Sequence, residues 1–285
     1  MRLDTSKMTY MQWQALRRDY VGGSDIGTLM GLNPYQSKLE LFHQKVGVVS
    51  SIMPESAATY SGKKLENIVK DDYWQWYSDD NPTIDGIIEN NTKKKRSRFY
   101  MNIKSIIHDP KLGDFFRANV DGMIIPKKNS RTPIGILEAK SGLNWVWDQY
   151  KSGIPEFYVL QVQAYMLITG LSYAEIAVLL DGRYFKCYPF EANQEIHDAI
   201  LHGVYEFWEL VKEGRIIWES ELPEHERLQR LSNIEPEIDG SDALDRYLKD
   251  RFKIVLNVNI KSFARYSSNV TNRRSYCISV SQDGS

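Results

Sequence analysis

Asp121 stands ahead of Glu138-Ala139-Lys140, and both sites lie in stretches whose side chains alternate. Across residues 115–125, Arg117, Asn119 and Asp121 share one side, and Phe116, Ala118 and Val120 the other. Across residues 134–140, Ile134, Ile136, Glu138 and Lys140 oppose Gly135, Leu137 and Ala139. If the two runs pair as an antiparallel hairpin centred between Asn129 and Ser130, position 121 falls opposite position 138. Directly opposed residues hold their Cβ atoms about 4.5–5.5 Å apart, and like charges so placed repel. Lys140 lies on the same face as Glu138. Two acids and an ammonium on one patch of sheet suit a hard divalent cation with oxygen ligands. The alternative is a solvent-facing sheet with a cross-strand ion pair. That alternative explains the same-strand neighbours Glu138 and Lys140 poorly, and Ile134 and Ile136 beside them not at all.

Other elements must hold this patch in place. Thr9-x-x-Gln12 is a capping-box pattern and predicts a short helix ending near Arg18. Gly22-Gly23 breaks the chain, and Ser24-Asp25 reads as the N-cap of a second helix running to Met30. Ser37-x-x-Glu40 opens a third helix that Gly47 closes, and residues 48–60 read as loop. Leu65, Ile68, Val69, Tyr73 and Trp76 recur at helical spacing over residues 63–77, with Asn81-Pro82 as the stop. A strand or hairpin pattern follows within residues 84–100. Pro155 starts an apolar helix to Thr169, capped by Gly170. Residues 174–180 and 184–190 read as strands, Asn193 as the cap of an amphipathic helix ending at Gly214, and 241–252 as a last helix. This order predicts an α/β chain with a mixed central sheet flanked by helices. It divides into residues 1–215 and an appendage, 216–285.

Composition narrows the class. Of 285 residues, 42% are hydrophobic and 26% charged, which places the chain among folded proteins rather than disordered ones. No uninterrupted apolar run has the length of a membrane span. The charged opening MRLDTSKMTYMQWQALRRDY lacks the apolar core of a secretory signal, so a cytoplasmic location is expected. Cys187 and Cys277 are too few for a disulfide scaffold, a four-cysteine zinc site or an iron–sulfur cluster. His197 and His202 lack the spacing of a shared metal site. With 36 basic and 37 acidic residues the net charge is −1, so a polyanionic partner would have to be met locally. Lys93-Lys94-Lys95-Arg96-Ser97-Arg98, Lys127-Lys128 with Arg131, and the basic stretch 253–282 are the local candidates.

Asp121 followed by Glu138-Ala139-Lys140 resembles the D…ExK pattern of the PD-(D/E)XK nuclease superfamily. Gln161-x-x-x-Tyr165 on the next helix is similar to its RecB-like branch. Gly62-Lys63-Lys64-Leu65-Glu66-Asn67 looks like the helix that supplies an extra acid. Trp13-x3-Arg17 and Val21-Gly22-Gly23-Ser24-Asp25-Ile26 resemble the opening signature of YqaJ-like viral recombinases and lambda-type exonucleases. The motifs stand in the family's order over residues 13–170, and the resemblance fades after about residue 253.

The resemblance implies a PD-(D/E)XK core and a phage-type DNA exonuclease working 5′→3′ on linear duplex, leaving 3′ single strands for annealing. It implies that Asp121, Glu138, Glu66 and the Ala139 carbonyl hold Mg²⁺, with Mn²⁺ as a substitute. Lys140 and Gln161 would complete the catalytic set. Arg17, Ser24 and Tyr165 would meet substrate, although Tyr165 and Gln163 also read as scaffold. The implied partners are double-stranded DNA ends, a single-strand annealing protein and further copies of the chain in a trimer, acting in a bacterial host of a phage or mobile element. Trp145 and Trp147 either stack on DNA or pack. The rival functions are another RecB-like nuclease and a non-catalytic DNA-binding or assembly subunit of the same fold.

Overall fold

The alternation around Asp121 and Glu138 folds into a hairpin of the expected register, with Gly122 opposite Leu137, Met123 opposite Ile136 and Ile124 opposite Gly135. The ladder ends at Gly122 and Leu137, so Asp121 stands one residue beyond it, where the register points to Glu138 and its carboxylate takes the Ala139 amide. A computed structural model describes residues 1–50, 56–77, 99–126, 130–150 and 153–236. The basic run 93–98, Lys127 and Lys128, the Asn81-Pro82 stop, the helix expected at 241–252 and the basic tail lie outside the described residues.

In chain order the elements are β1 (Arg2–Asp4), α1 (Tyr10–Leu16), β2 (Val21–Gly22), α2 (Ile26–Leu29), α3 (Lys38–Val46) and α4 (Ala57–Tyr77). Next come β3 (Phe99–Asn102), β4 (Ser105–His108), β5 (Phe116–Ala118), β6 (Gly122–Ile125), β7 (Gly135–Gly142) and α5 (Asn144–Trp147). The chain continues through α6 (Glu156–Thr169), β8 (Tyr173–Leu180), β9 (Tyr184–Glu191), α7 (Gln194–Trp218) and α8 (Glu224–Ser232). Two mixed sheets form, in the orders β1-β4-β5-β2 and β3-β6-β7-β8-β9. Helix α6 connects β7 to its parallel neighbour β8, so the Glu138 strand and the Gln161 helix belong to one β-α-β unit.

The run 115–125 is not one strand. It splits between the sheets, β5 in the first and β6 in the second, with residues 119–121 leaving the ladder. Side chains replace the lost backbone pairing there. The Tyr165 hydroxyl donates to the Asn119 carbonyl at 2.9 Å, and the Ala139 amide donates to Asp121 Oδ2 at 2.8 Å.

Both faces of the β6–β7–β8 sheet are covered. Ile136, Ala174, Ile176 and Val178 join Leu160 and Val162 of α6 in the main core. Leu137, Ala139, Ala177 and Leu179 turn the other way, onto Val69 and Tyr73 of α4. Full burial of such side chains stabilises by about 1.5–3 kcal/mol each, so the strand order is fixed from two sides.

Both capping boxes form, at Thr9/Gln12 and Ser37/Glu40, and Gly47 closes α3 at φ 101°. Three boundaries differ from expectation. Helix α4 begins at Ala57, inside the stretch read as loop. Helix α7 passes through Gly214 to Trp218, because that glycine faces α3: a Cβ there would sit 2.7 Å from Val46 Cγ2 and 3.0 Å from Phe42 Cζ. Close packing, not termination, demands glycine at that position. Ser24-Asp25 does not cap its helix by a side-chain bond; Asp25 Oδ2 instead accepts from the Gly22 amide at 2.9 Å. Leu231 of α8 is buried in the main core, and no helix among the described residues is long and apolar enough to cross a membrane.

Candidate active site

Strand β7 carries Glu138, Ala139 and Lys140, and the bend before β6 carries Asp121. Glu138 is 2% exposed. Its Oε1 accepts from Lys140 Nζ at 2.7 Å and from Gln161 Nε2 at 2.6 Å. The same-strand pairing of Glu138 with Lys140, unusual on an open sheet, forms here beside α6, with Glu138 buried and Lys140 half-buried. Among the described residues, Glu138 Oε2 is buried with no hydrogen-bond partner. A buried carboxylate oxygen left bare is costly, and such a group signals a ligand that completes it.

Burial first, then the charges of Glu138 and Glu66, hold the Asp121 carboxyl well above the usual carboxylate range, against the opposing pull of Lys140 and the Ala139 amide. A carboxyl in that state takes up either a proton or a cation. Burial pulls the Lys140 ammonium down, but Glu138, Tyr158 and Asp121 more than offset it, so it titrates above its ordinary value. Its Nζ also lies 4.7 Å from the Tyr158 ring centroid. Lys140 is therefore held as a cation against Glu138.

Glu66 of α4 is engaged by Lys70, itself buried. Among the described residues no three His, Cys, Asp or Glu side chains converge closely enough to enclose an ion. The carboxylates in hand are Asp121 and Glu138, with Glu66 adding charge nearby. That set fits Mg²⁺, which keeps several waters and needs only one or two carboxylates.

Gln161 and Tyr165 brace the site from α6. Gln161 Nε2 also donates to the Tyr165 hydroxyl at 2.9 Å. Tyr165 is buried, and its ring lies against Gly23, where a Cβ would come within 2.3 Å. The second glycine of the pair is thus needed for close approach, and Tyr165 joins the acid cluster to the Gly22-Gly23 turn. Gln163 is scaffold: it donates to the Glu191 carbonyl and accepts from the Asn193 amide.

At that turn Arg17 Nη2 donates to Asp25 Oδ1 at 2.7 Å and to Ser24 Oγ at 2.9 Å. The guanidinium also packs 5.2 Å from the Trp13 ring. Behind it, Lys45 Nζ donates to Asp25 Oδ2 at 2.8 Å, the Arg17 carbonyl at 2.7 Å and the Tyr20 carbonyl at 2.6 Å. Burial pushes Asp25 up, but Lys45 and Arg17 outweigh it and hold the carboxyl at about 2. The sequence signal for Lys45 is its spacing: it shares the buried stripe of α3 with Leu41, Phe42 and Val46, a poor place for an ammonium without a partner.

Residues 12–172, which contain Arg17, Asp25, Lys45, Glu66, Asp121, Glu138, Lys140, Gln161 and Tyr165, match the YqaJ-like viral recombinase domain. The chain belongs to that family. Within it, the Bacillus subtilis (strain 168) protein YqaJ, described as uncharacterized, is 30% identical over 250 residues, covering 87% of this chain. The chain spans only 65% of that relative's length. Protein D345L of African swine fever virus (strain Badajoz 1971 Vero-adapted) is 36% identical over 59 residues, 21% of this chain and 17% of its own. Among solved structures, the alkaline exonuclease LHK-Exo from Laribacter hongkongensis superposes with a TM-score of 0.52 at 20% identity, over 78% of this chain and 97% of that one. That likeness bears on fold alone, the PD-(D/E)XK fold.

Trp145 and Trp147 of this YqaJ-like domain part company. Trp147 is buried and stacks on Tyr158 and Tyr188, so it packs. Trp145 is 65% exposed.

Proposed function

We propose that this chain is a divalent-metal-dependent deoxyribonuclease that degrades one strand of linear duplex DNA from its 5′ end. The observation that carries the reading is the buried, bare Oε2 of Glu138 beside Asp121 and the Lys140 ammonium. A name borne by a structural relative, alkaline exonuclease, agrees with it.

Asp121, Glu138 and the Ala139 carbonyl would hold Mg²⁺ or Mn²⁺, with Glu66 adding negative charge. Bound there, the ion supplies Lewis acidity toward the scissile phosphate. Lys140 donates to the attacking water or a phosphoryl oxygen, stabilising charge that builds in the transition state. Gln161 fixes the carboxylate of Glu138, and Tyr165 fixes Gln161. Arg17 and Ser24 receive the terminal 5′-phosphate: Arg17 hydrogen-bonds to Asp25 and Ser24 through Nη2, which leaves its other N–H groups to donate to an anion. Holding that phosphate after each cut would drive the strand forward, leaving a 3′ single strand for an annealing protein. A ring of three copies follows from the family resemblance.

Digestion of linear duplexes bearing a 5′-phosphate or a 5′-hydroxyl, and of covalently closed circles, with Mg²⁺ or EDTA, tests this. Mg²⁺-dependent loss of linear DNA, faster from phosphorylated ends, is expected. Arg17→Ala should erase most of that end preference and shorten each run, while cutting of short single strands suffers less. Equal rates on both ends in the wild type would remove the 5′-phosphate assignment, and degradation in EDTA would remove the metal.

A further inference from the structure

The Arg17–Asp25 pair has a property at odds with anion binding. A guanidinium bonded to a carboxylate is neutral as a pair and offers a phosphate little net attraction. Lys45 changes that balance. It is 3% exposed and reaches no substrate, yet its Nζ donates to three acceptors, Asp25 Oδ2 and the carbonyls of Arg17 and Tyr20. Three donors on three acceptors is the geometry of an ammonium. Arg17, Asp25 and Lys45 together carry one net positive charge, with only Arg17 reaching solvent: its side chain is 30% exposed against 5% for Asp25 and 4% for Lys45.

We propose that Lys45 is a positioning residue for the 5′-phosphate receptor, and that by neutralising Asp25 from behind it leaves the charge of Arg17 available to the DNA end. Asp25 then orients the guanidinium without cancelling it. The inference rests on the end-phosphate reading above and goes further, since it assigns the receptor's strength to a residue that does not touch the ligand.

A charge-rescue cycle tests it. Binding of 5′-phosphorylated and 5′-hydroxyl duplexes of one sequence is measured by fluorescence anisotropy in EDTA, so that no cleavage intervenes, and the ratio of the two Kd values is read. Lys45→Met makes the cluster neutral, and the ratio should fall by about tenfold, as expected for a unit charge removed from a poorly solvated site. Asp25→Asn/Lys45→Met restores one net positive charge, and the amide oxygen introduced by Asp25→Asn still accepts from Arg17. Both variants lose the same bonds to the Arg17 and Tyr20 carbonyls; because Asp25→Asn also turns an NH2 toward the Gly22 amide that Asp25 Oδ2 serves, Asp25→Asn alone is measured as the control for that bond and should not by itself lower the ratio. The double variant should recover the ratio to within about threefold of wild type. Should Lys45→Met not fold, Lys45→Gln, which keeps an N–H donor, takes its place in the cycle. An unchanged ratio in the single variant, or a double variant as weak as the single, overturns the proposal while the wild-type preference keeps the end-phosphate reading. No preference in the wild type overturns both.

Discussion

Lys140→Ala and Glu138→Gln should each slow duplex cleavage by about 10²–10³-fold, the usual cost of removing one electrostatic contributor to a transition state. Lys140 is held by Glu138 Oε1 at 2.7 Å and by the Tyr158 ring face, so its charge is fixed before substrate arrives. Alanine removes that charge and leaves Gln161 on the carboxylate. In Glu138→Gln the side chain keeps its volume but loses the charge on Oε2, the atom without a partner. Neither change touches Arg17 or Ser24, so affinity for phosphorylated ends should hold within a few-fold. Single-turnover rates, duplex affinity and melting temperature of purified variants separate chemistry from binding and folding. A folded variant cleaving at near wild-type rate would remove that residue from the catalytic set.

Mg²⁺ should raise the melting temperature of the wild type and scarcely move that of Asp121→Asn. The Asp121 carboxyl is pushed up by burial and by Glu138 and Glu66, so the ion-free fold carries stored repulsion or an extra proton. A ligand at about a hundred times its Kd adds roughly 2.7 kcal/mol of stability to the state that binds it. For a chain of this size each kcal/mol moves the transition by about 2–4 °C, so a shift on the order of 5–10 °C is expected. Without metal, Asp121→Asn should melt no lower than wild type, because repulsion is relieved while an amide oxygen still accepts from the Ala139 N–H. Equal Mg²⁺ shifts in both proteins would move the ion to another site.

The hairpin that opposes Asp121 and Glu138 was legible because alternation fixes strand register, and slipping it by one residue would turn Leu137 and Ala139 away from α4. Capping boxes and the glycines at 47 and 170 were legible because their conformational demands are local. The break at residues 119–121 was not, since Tyr165 donates to its Asn119 carbonyl and its Asp121 carboxylate takes the Ala139 amide, partners distant in sequence. Gly214 misled for a related reason. A glycine required by a neighbouring helix and one that ends a helix look alike until the neighbour is placed. Asp25 and Lys45 stand 20 residues apart, and only their shared burial reveals that each is the other's counter-charge.

Anomalous diffraction from crystals grown with Mn²⁺ tests the central claim most directly, because it locates the ion without reference to activity. One strong peak between Asp121 and Glu138, beside Glu138 Oε2 and absent from Asp121→Asn crystals, is the predicted result. A protein that cleaves DNA in Mn²⁺ yet shows no peak there, or shows its peak away from both carboxylates, would contradict it.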